Sequence, residues 1–136
     1  MTFTSPEVAA VGVAAGSDGT TTRTVAHAEV DRAIAEGRTE GFTRLVLDRR
    51  GRVVGATVVG PRAGEALAEL TLAVRRGLRT RDLAGAMHPY PTWGDGPWNA
   101  AVAQVRDQLA GPAAQRATRA LAGTRRRWLD HRGGPA

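Results

Sequence analysis

The chain has 136 residues, 42% of them hydrophobic and 4% aromatic, which fits one domain with a core built from Val, Leu and Ala. It contains no cysteine, which excludes disulfides, thiolate catalysis, thiolate metal sites and a redox dithiol within the chain. The net charge of +6 is unevenly placed: residues 111–136 hold six Arg (Arg116, Arg119, Arg125, Arg126, Arg127, Arg132) against Asp130 alone, a balance of +5. No stretch approaches the about 18 apolar residues of a membrane span, and the N-terminus lacks a charged-then-apolar signal pattern, so a soluble cytoplasmic protein is the default expectation.

In chain order, "PEVAAVGVAAG" (6–16) predicts a short strand anchored by Val8, Val11 and Val13, and "GSDGTT" (16–21) a loop. "TRTVAHAEV" (22–30) reads as a second strand, with His27 an ordinary half-exposed residue within it. "DRAIAEGRTEG" (31–41) is a loop or a short helical turn. "FTRLVLDRRGRVVGATVVG" (42–60) holds two β-rich runs around a polar turn ending in Gly51, the pattern of a hairpin. Its second strand, with Val53, Val54, Val58 and Val59, is expected to be central and buried on both faces.

The period then changes from two to about 3.6. Leu67, Leu70 and Val74 share one stripe of a helix over 63–77, with Gly77 as its C-terminal cap. Thr80 is placed to cap a second, short helix ending near Met87, because Pro89 disfavours the helical conformation at His88. Asp95 or Gly96 can cap a third, with Pro97 in its first turn and a stripe of Trp98, Ala101, Val102, Val105 and Leu109. Residues 113–129 have helical potential with a weak apolar stripe, and are expected to be partly ordered at best. Strands grouped before helices predict an α+β fold, an antiparallel sheet of about four strands with helices packed on one face. The domain division expected is 1–110 for the folded domain and 111–136 for an Arg-rich, partly disordered or helical tail.

The recognisable motifs of self-contained chemistry are missing. No Gly-x-Gly-x-x-Gly lies between a strand and a helix, and without lysine there is no phosphate-binding loop of the Gly-Lys-Ser/Thr kind. His27, His88 and His131 are far apart, with no helical partner for zinc, so no metal site is expected. Gly-x-Ser-x-Gly is absent, and Thr92 is a weak nucleophile without an activating base. The run Arg125-Arg126-Arg127 beside Trp128 suits phosphate contact, but a solvated basic end is the favoured reading.

The densest polar and aromatic stretch is "HPYPTWGD" (88–95), a Pro-rich turn. Taken in order with "FTSPEVAAVG" (3–12), "GFTRLVLD" (41–48), "VVGATVVGPRAGE" (53–65) and "AVRRGLRTRDLA" (73–84), it resembles the C-terminal dimerisation (interface) domain of the pyridine nucleotide-disulfide oxidoreductases, over residues 3 to about 108. That family includes glutathione reductase, dihydrolipoamide dehydrogenase and mercuric reductase. The resemblance implies a domain that joins two subunits through its sheet and helices and sends its Pro-rich turn into the partner's active site, beside the flavin and the dithiol. There the family shows His-Pro-Thr with a Glu five residues after the His, the His acting as acid/base and the Glu orienting it.

Placing Pro91-Thr92 on that motif puts Tyr90 at the His position and Asp95 at the Glu position, the two catalytic candidates. His88 and Pro91 are the candidate contacts to the partner subunit's flavin. A phenol with pKa about 10 is a poorer base at neutral pH than an imidazole at about 6.5. Tyr90 is therefore a hydrogen-bond donor or a ligand to a soft metal or anionic sulfur, as in the mercuric reductase variant of the motif. Asp95 is one methylene shorter than Glu, and helix capping is its competing role. The resemblance implies FAD and NAD(P) for a full-length enzyme and no cofactor for this chain alone. Met1-Thr2 directly precedes the first interface strand, so the chain is expected to be inactive by itself and to need an FAD/NAD(P)-binding portion as partner. The competing readings are a free-standing homodimeric scaffold and, less favoured, an Arg-tail nucleic-acid binder.

Overall fold

The computed structural model describes residues 1–132. Four antiparallel strands form one sheet: β1 (Glu7–Gly12), β2 (Thr21–Ala26), β3 (Phe42–Leu47) and β4 (Val53–Gly60), in the order β1-β4-β3-β2. Five helices accompany them: α1 (Asp31–Ala35), α2 (Ala63–Arg76), α3 (Thr80–Ala84), α4 (Asp95–Ala110) and α5 (Pro112–Arg132). Met1–Val105 form one compact unit, and a second begins at Arg106.

The β3–β4 hairpin forms as its sequence requires. Gly51 takes φ 73°, and the Asp48 carboxylate accepts from the backbone N–H groups of Arg50 at 2.8 Å and Arg52 at 2.9 Å. Those two backbone donors, chiefly that of Arg52, hold the Asp48 carboxyl below its ordinary range. Register then decides which residues face inward. Directly paired residues share a face, so Leu45 with Ala56, Thr43 with Val58 and Ala9 with Val58 point the same way. All of these are buried, and Ala9, Leu45, Ala56 and Val58 form one apolar cluster with Leu70 of α2, Leu83 of α3, and Ala100 and Ala101 of α4. The helices thus cover one face of the sheet. Full burial of Leu70 stabilises the fold by about 2 kcal/mol.

Several local expectations change. In β1 the inward residue is Ala9, while Val8 and Val13 are exposed, because Val8 pairs with Val59 on the opposite face. β4 is central, but Val54 and Val59 are only half-buried; helices cover one side of the sheet and not both. His27 is neither in a strand nor half-exposed. It opens a 3-10 turn (His27–Glu29) after β2 and is 2% exposed.

Gly77 caps α2 in the left-handed conformation, as the sequence predicts. The start of α3 is held by Asp82, whose carboxylate accepts from the Arg79 N–H at 2.7 Å, and Thr80 is its first residue and not its cap. α3 stops at Ala84, short of Met87, since Gly85 weakens the helix and residues 85–87 are exposed, with no apolar face to bury. Along α4, Trp98, Val102 and Val105 are half-buried and Leu109 is exposed, so the buried stripe is confined to the helix's first half. In the second unit, α5 exposes Leu121 and Trp128. Residues 133–136 of the expected tail lie outside the described residues.

Candidate functional site: the Pro-rich turn

The turn 88–95 joins α3 to α4 and is pinned at its C-terminal end. Trp93 is buried in the core cluster, and its indole lies 5.6 Å from the His27 imidazole. His27 itself is walled in by glycines from three elements. A Cβ on Gly60 would fall 2.4 Å from its Cε1, one on Gly41 would fall 3.1 Å from its Nδ1, and one on Gly96 would fall 2.5 Å from the Oγ1 of its neighbour Thr43. His27 Nε2 lies 3.3 Å from Thr43 Oγ1, and Nδ1 is buried without a partner. Burial lowers the pKa of His27, because the charged form would lose its hydration. His27 is thus the neutral floor of the turn.

Asp95 is 3% exposed and reaches back along the chain. Its Oδ2 accepts from the Thr92 N–H at 3.0 Å, and the Asp95 N–H donates to the Thr92 carbonyl at 3.2 Å. This pair of bonds closes a turn over residues 92–95 that leads directly into α4. The Thr92 hydroxyl donates to the Pro89 carbonyl at 3.0 Å, closing the turn on itself. His88 is half-buried, with Nδ1 3.0 Å from the Ala86 carbonyl and Nε2 2.9 Å from Glu69 Oε1 on α2. Trp98 stacks obliquely beside it, ring centroids 6.1 Å apart.

Tyr90 is at the tip. It is 70% exposed, and its hydroxyl donates to Asp31 Oδ2 at the start of α1. Asp31 raises the Tyr90 pKa above its ordinary value, first through that hydrogen bond and then through its charge, and Asp95 adds a smaller push in the same direction. Pro91 is exposed beside it, across a cis Tyr90–Pro91 peptide bond.

Two clefts flank the turn. One, of about 420 Å³, is walled by His88, Pro91, Thr92 and Trp93 with Arg32 and Glu65 opposite. The other, of about 360 Å³, is walled by Met87, His88, Tyr90, Asp95 and Trp98. The four residues singled out from the sequence therefore do come together, but Tyr90 and Asp95 form no hydrogen-bonded pair within the chain. Asp31, Glu69 and His27 were not legible as site residues. Their partners lie 59, 19 and 16 positions away in sequence, and no local pattern marks such a contact.

Residues 1–101 match the family model described as "Pyridine nucleotide-disulphide oxidoreductase, dimerisation domain". The chain belongs to that family. It is 39% identical over 113 residues to a mercuric reductase of Acidithiobacillus ferrooxidans, covering 79% of this chain and 21% of the relative. It is 38% identical over 108 residues to dihydrolipoyl dehydrogenase 2 of Haloarcula marismortui, covering 74% of this chain and 23% of the relative. The crystal structure of LpdA from Mycobacterium tuberculosis superposes with a TM-score of 0.71 at 31% identity, covering 75% of this chain and 24% of that one. The chain thus spans a fifth to a quarter of the length of the proteins it matches. The α+β dimerisation-domain fold read from the sequence is the fold observed. No helix among the described residues is long and apolar enough to cross a membrane.

Proposed function

We propose that this chain is the homodimerising portion of an FAD- and NAD(P)-dependent oxidoreductase, and that its Pro-rich turn enters the active site of the partner subunit. The observation that carries this reading is the tip of the turn. Tyr90 is 70% exposed and Met87 98% exposed, on a loop whose base, Trp93 and Asp95, is buried. A rigidly based loop with an exposed ring at its apex is built to contact another surface. The 38–39% identity to reductases favours an enzyme domain over a free-standing scaffold or an Arg-tail nucleic-acid binder.

The residues here suit touching a flavin and do not suit holding a dinucleotide. A pyrophosphate needs free backbone N–H groups at a helix N-terminus. At α2, which starts beside the turn's larger cleft, the Gly64 N–H already donates to the Glu7 carboxylate at 3.1 Å. FAD and NAD(P) therefore belong to the remaining portion of the enzyme, where the flavin would pass electrons from NAD(P)H to a substrate. This chain would contribute the exposed Tyr90 phenol at the reacting end, its proton held by Asp31 and its oxygen open to accept a hydrogen bond, with His88 and Pro91 lining the approach and Asp95 fixing the turn's geometry.

The test is a chimaera in which this chain replaces the matching segment of the Acidithiobacillus mercuric reductase. A phenol in contact with an excited flavin quenches its emission, so Tyr90→Phe is expected to raise flavin fluorescence in the dimer. Unchanged emission in a correctly dimeric, FAD-loaded chimaera would overturn the proposed reach of the turn.

A further inference from the structure

The family resemblance assigns the orientation of the residue at position 90 to the acid at position 95. The geometry divides those tasks differently. Both Asp95 oxygens face Thr92, at 3.0 Å from its N–H and 3.5 Å from its hydroxyl, and the side chain is buried there. The Tyr90 hydroxyl turns the other way, onto Asp31. We infer that Asp31 is the positioning residue for Tyr90: its carboxylate accepts the one phenolic proton and so orients the hydroxyl at the tip of the turn, leaving the oxygen's lone pairs to accept, while Asp95 fixes only the backbone beneath it.

Three features make Asp31 fit for that task. Its backbone is anchored on both sides, because Val30 and Ala33 are each fully buried in the core cluster. Tyr90 sits between Pro89 and Pro91, which fix their own φ, and Pro91 also restricts the backbone of Tyr90, so the bond to Asp31 orients a side chain carried on a stiffened backbone. The neighbouring charge of Arg32 is turned toward Glu36 and not toward the phenol. The ionisable groups that face Tyr90 are Asp31 from α1, Asp95 from α4 and His88 within the turn. Of these, Asp31 is the largest influence on the phenol and acts to keep it protonated. A phenol so held donates a hydrogen bond and does not serve as a base. The functional meaning rests on the proposed reach of the turn; the Asp31–Tyr90 contact does not.

Tyr90 is the one tyrosine of the chain, so its ionisation can be followed without ambiguity by ultraviolet difference absorbance. The wild-type midpoint is expected above the ordinary value, falling toward it in Asp31→Asn. Asp31→Glu should restore the raised midpoint, and Asp95→Asn should lower it less than Asp31→Asn does. If alkali unfolds the chain first, the ring-carbon resonance of isotope-labelled tyrosine at neutral pH reports the same bond and should shift in Asp31→Asn. A titration, or a neutral-pH resonance, that is the same in wild type and Asp31→Asn would overturn the inference. Neither readout involves flavin or a partner, so its failure is separable from failure of the turn to reach the neighbouring subunit.

Discussion

The imidazole of His27 packs 5.6 Å from the indole of Trp93, with the two ring planes 59° apart. This contact ties the end of β2 to the base of the Pro-rich turn, so the position of the turn depends on a histidine that stays uncharged. The pKa of His27 is lowered by burial, which means the unfolded chain binds its proton more readily than the folded one. The stability it allows is present above the unfolded value of about 6.5 and is lost as pH falls through the lower folded value. The thermal midpoint is therefore expected to drop between about pH 7.5 and about pH 5. In His27→Gln that drop should shrink, leaving the part due to other titrating groups. An equal pH slope in both proteins would remove His27 from the account.

The glycines around that ring are required by contact distance. A Cβ at Gly60 would lie 2.4 Å from His27 Cε1 and 2.5 Å from Nδ1, and the ring cannot retreat because Trp93 packs against it. Gly60→Ala is expected to cost about 1–3 kcal/mol, the usual range for overpacking. Gly77→Ala is a poor control, since its φ of 63° adds backbone strain. Gly123→Ala, where an added Cβ meets nothing within 4 Å, is the suitable one; inside α5 it should not destabilise in urea denaturation, since alanine is favoured over glycine in a helix interior by about 1 kcal/mol.

Asp95 closes the turn that leads into α4, and its replacement should read as the loss of that hydrogen bond. Asp95→Ala removes the acceptor for the Thr92 N–H, a loss of about 1–2 kcal/mol. Asp95→Asn retains an oxygen at the same place and should lose less. Denaturant midpoints for the two variants separate the hydrogen-bonding role from a purely electrostatic one, for which the order would not follow hydrogen-bond capacity.

Local chemistry in the sequence was enough for the elements that build the sheet and set the turn. The "LDRRGRVV" hairpin and the Gly77 cap each rest on residues adjacent in the chain, and each is where it was expected; the helix before Pro89 ends earlier than expected, at Ala84. The contacts that shape the site join residues distant in sequence. Burial of His27 needs Gly41, Gly60 and Gly96 from three segments to converge, and no window of sequence contains all three. The Asp31–Tyr90 and Glu69–His88 bonds cross from α1 and α2 to the turn, and alignment with a family motif marks neither Asp31 nor Glu69. The choice of Val8 as an anchor of β1 failed for a related reason: pairing with β4 sets which face is covered, and it turned Ala9 inward, while Val13 lies beyond the end of the strand at Gly12.

The central claim is that this chain carries a dimerisation surface, and its mass in solution tests that most directly. Light scattering on the purified chain across a tenfold dilution should give twice the 14.3 kDa chain mass, 28.6 kDa, throughout. A mass of one chain at every concentration would contradict the claim that these residues hold two subunits together on their own.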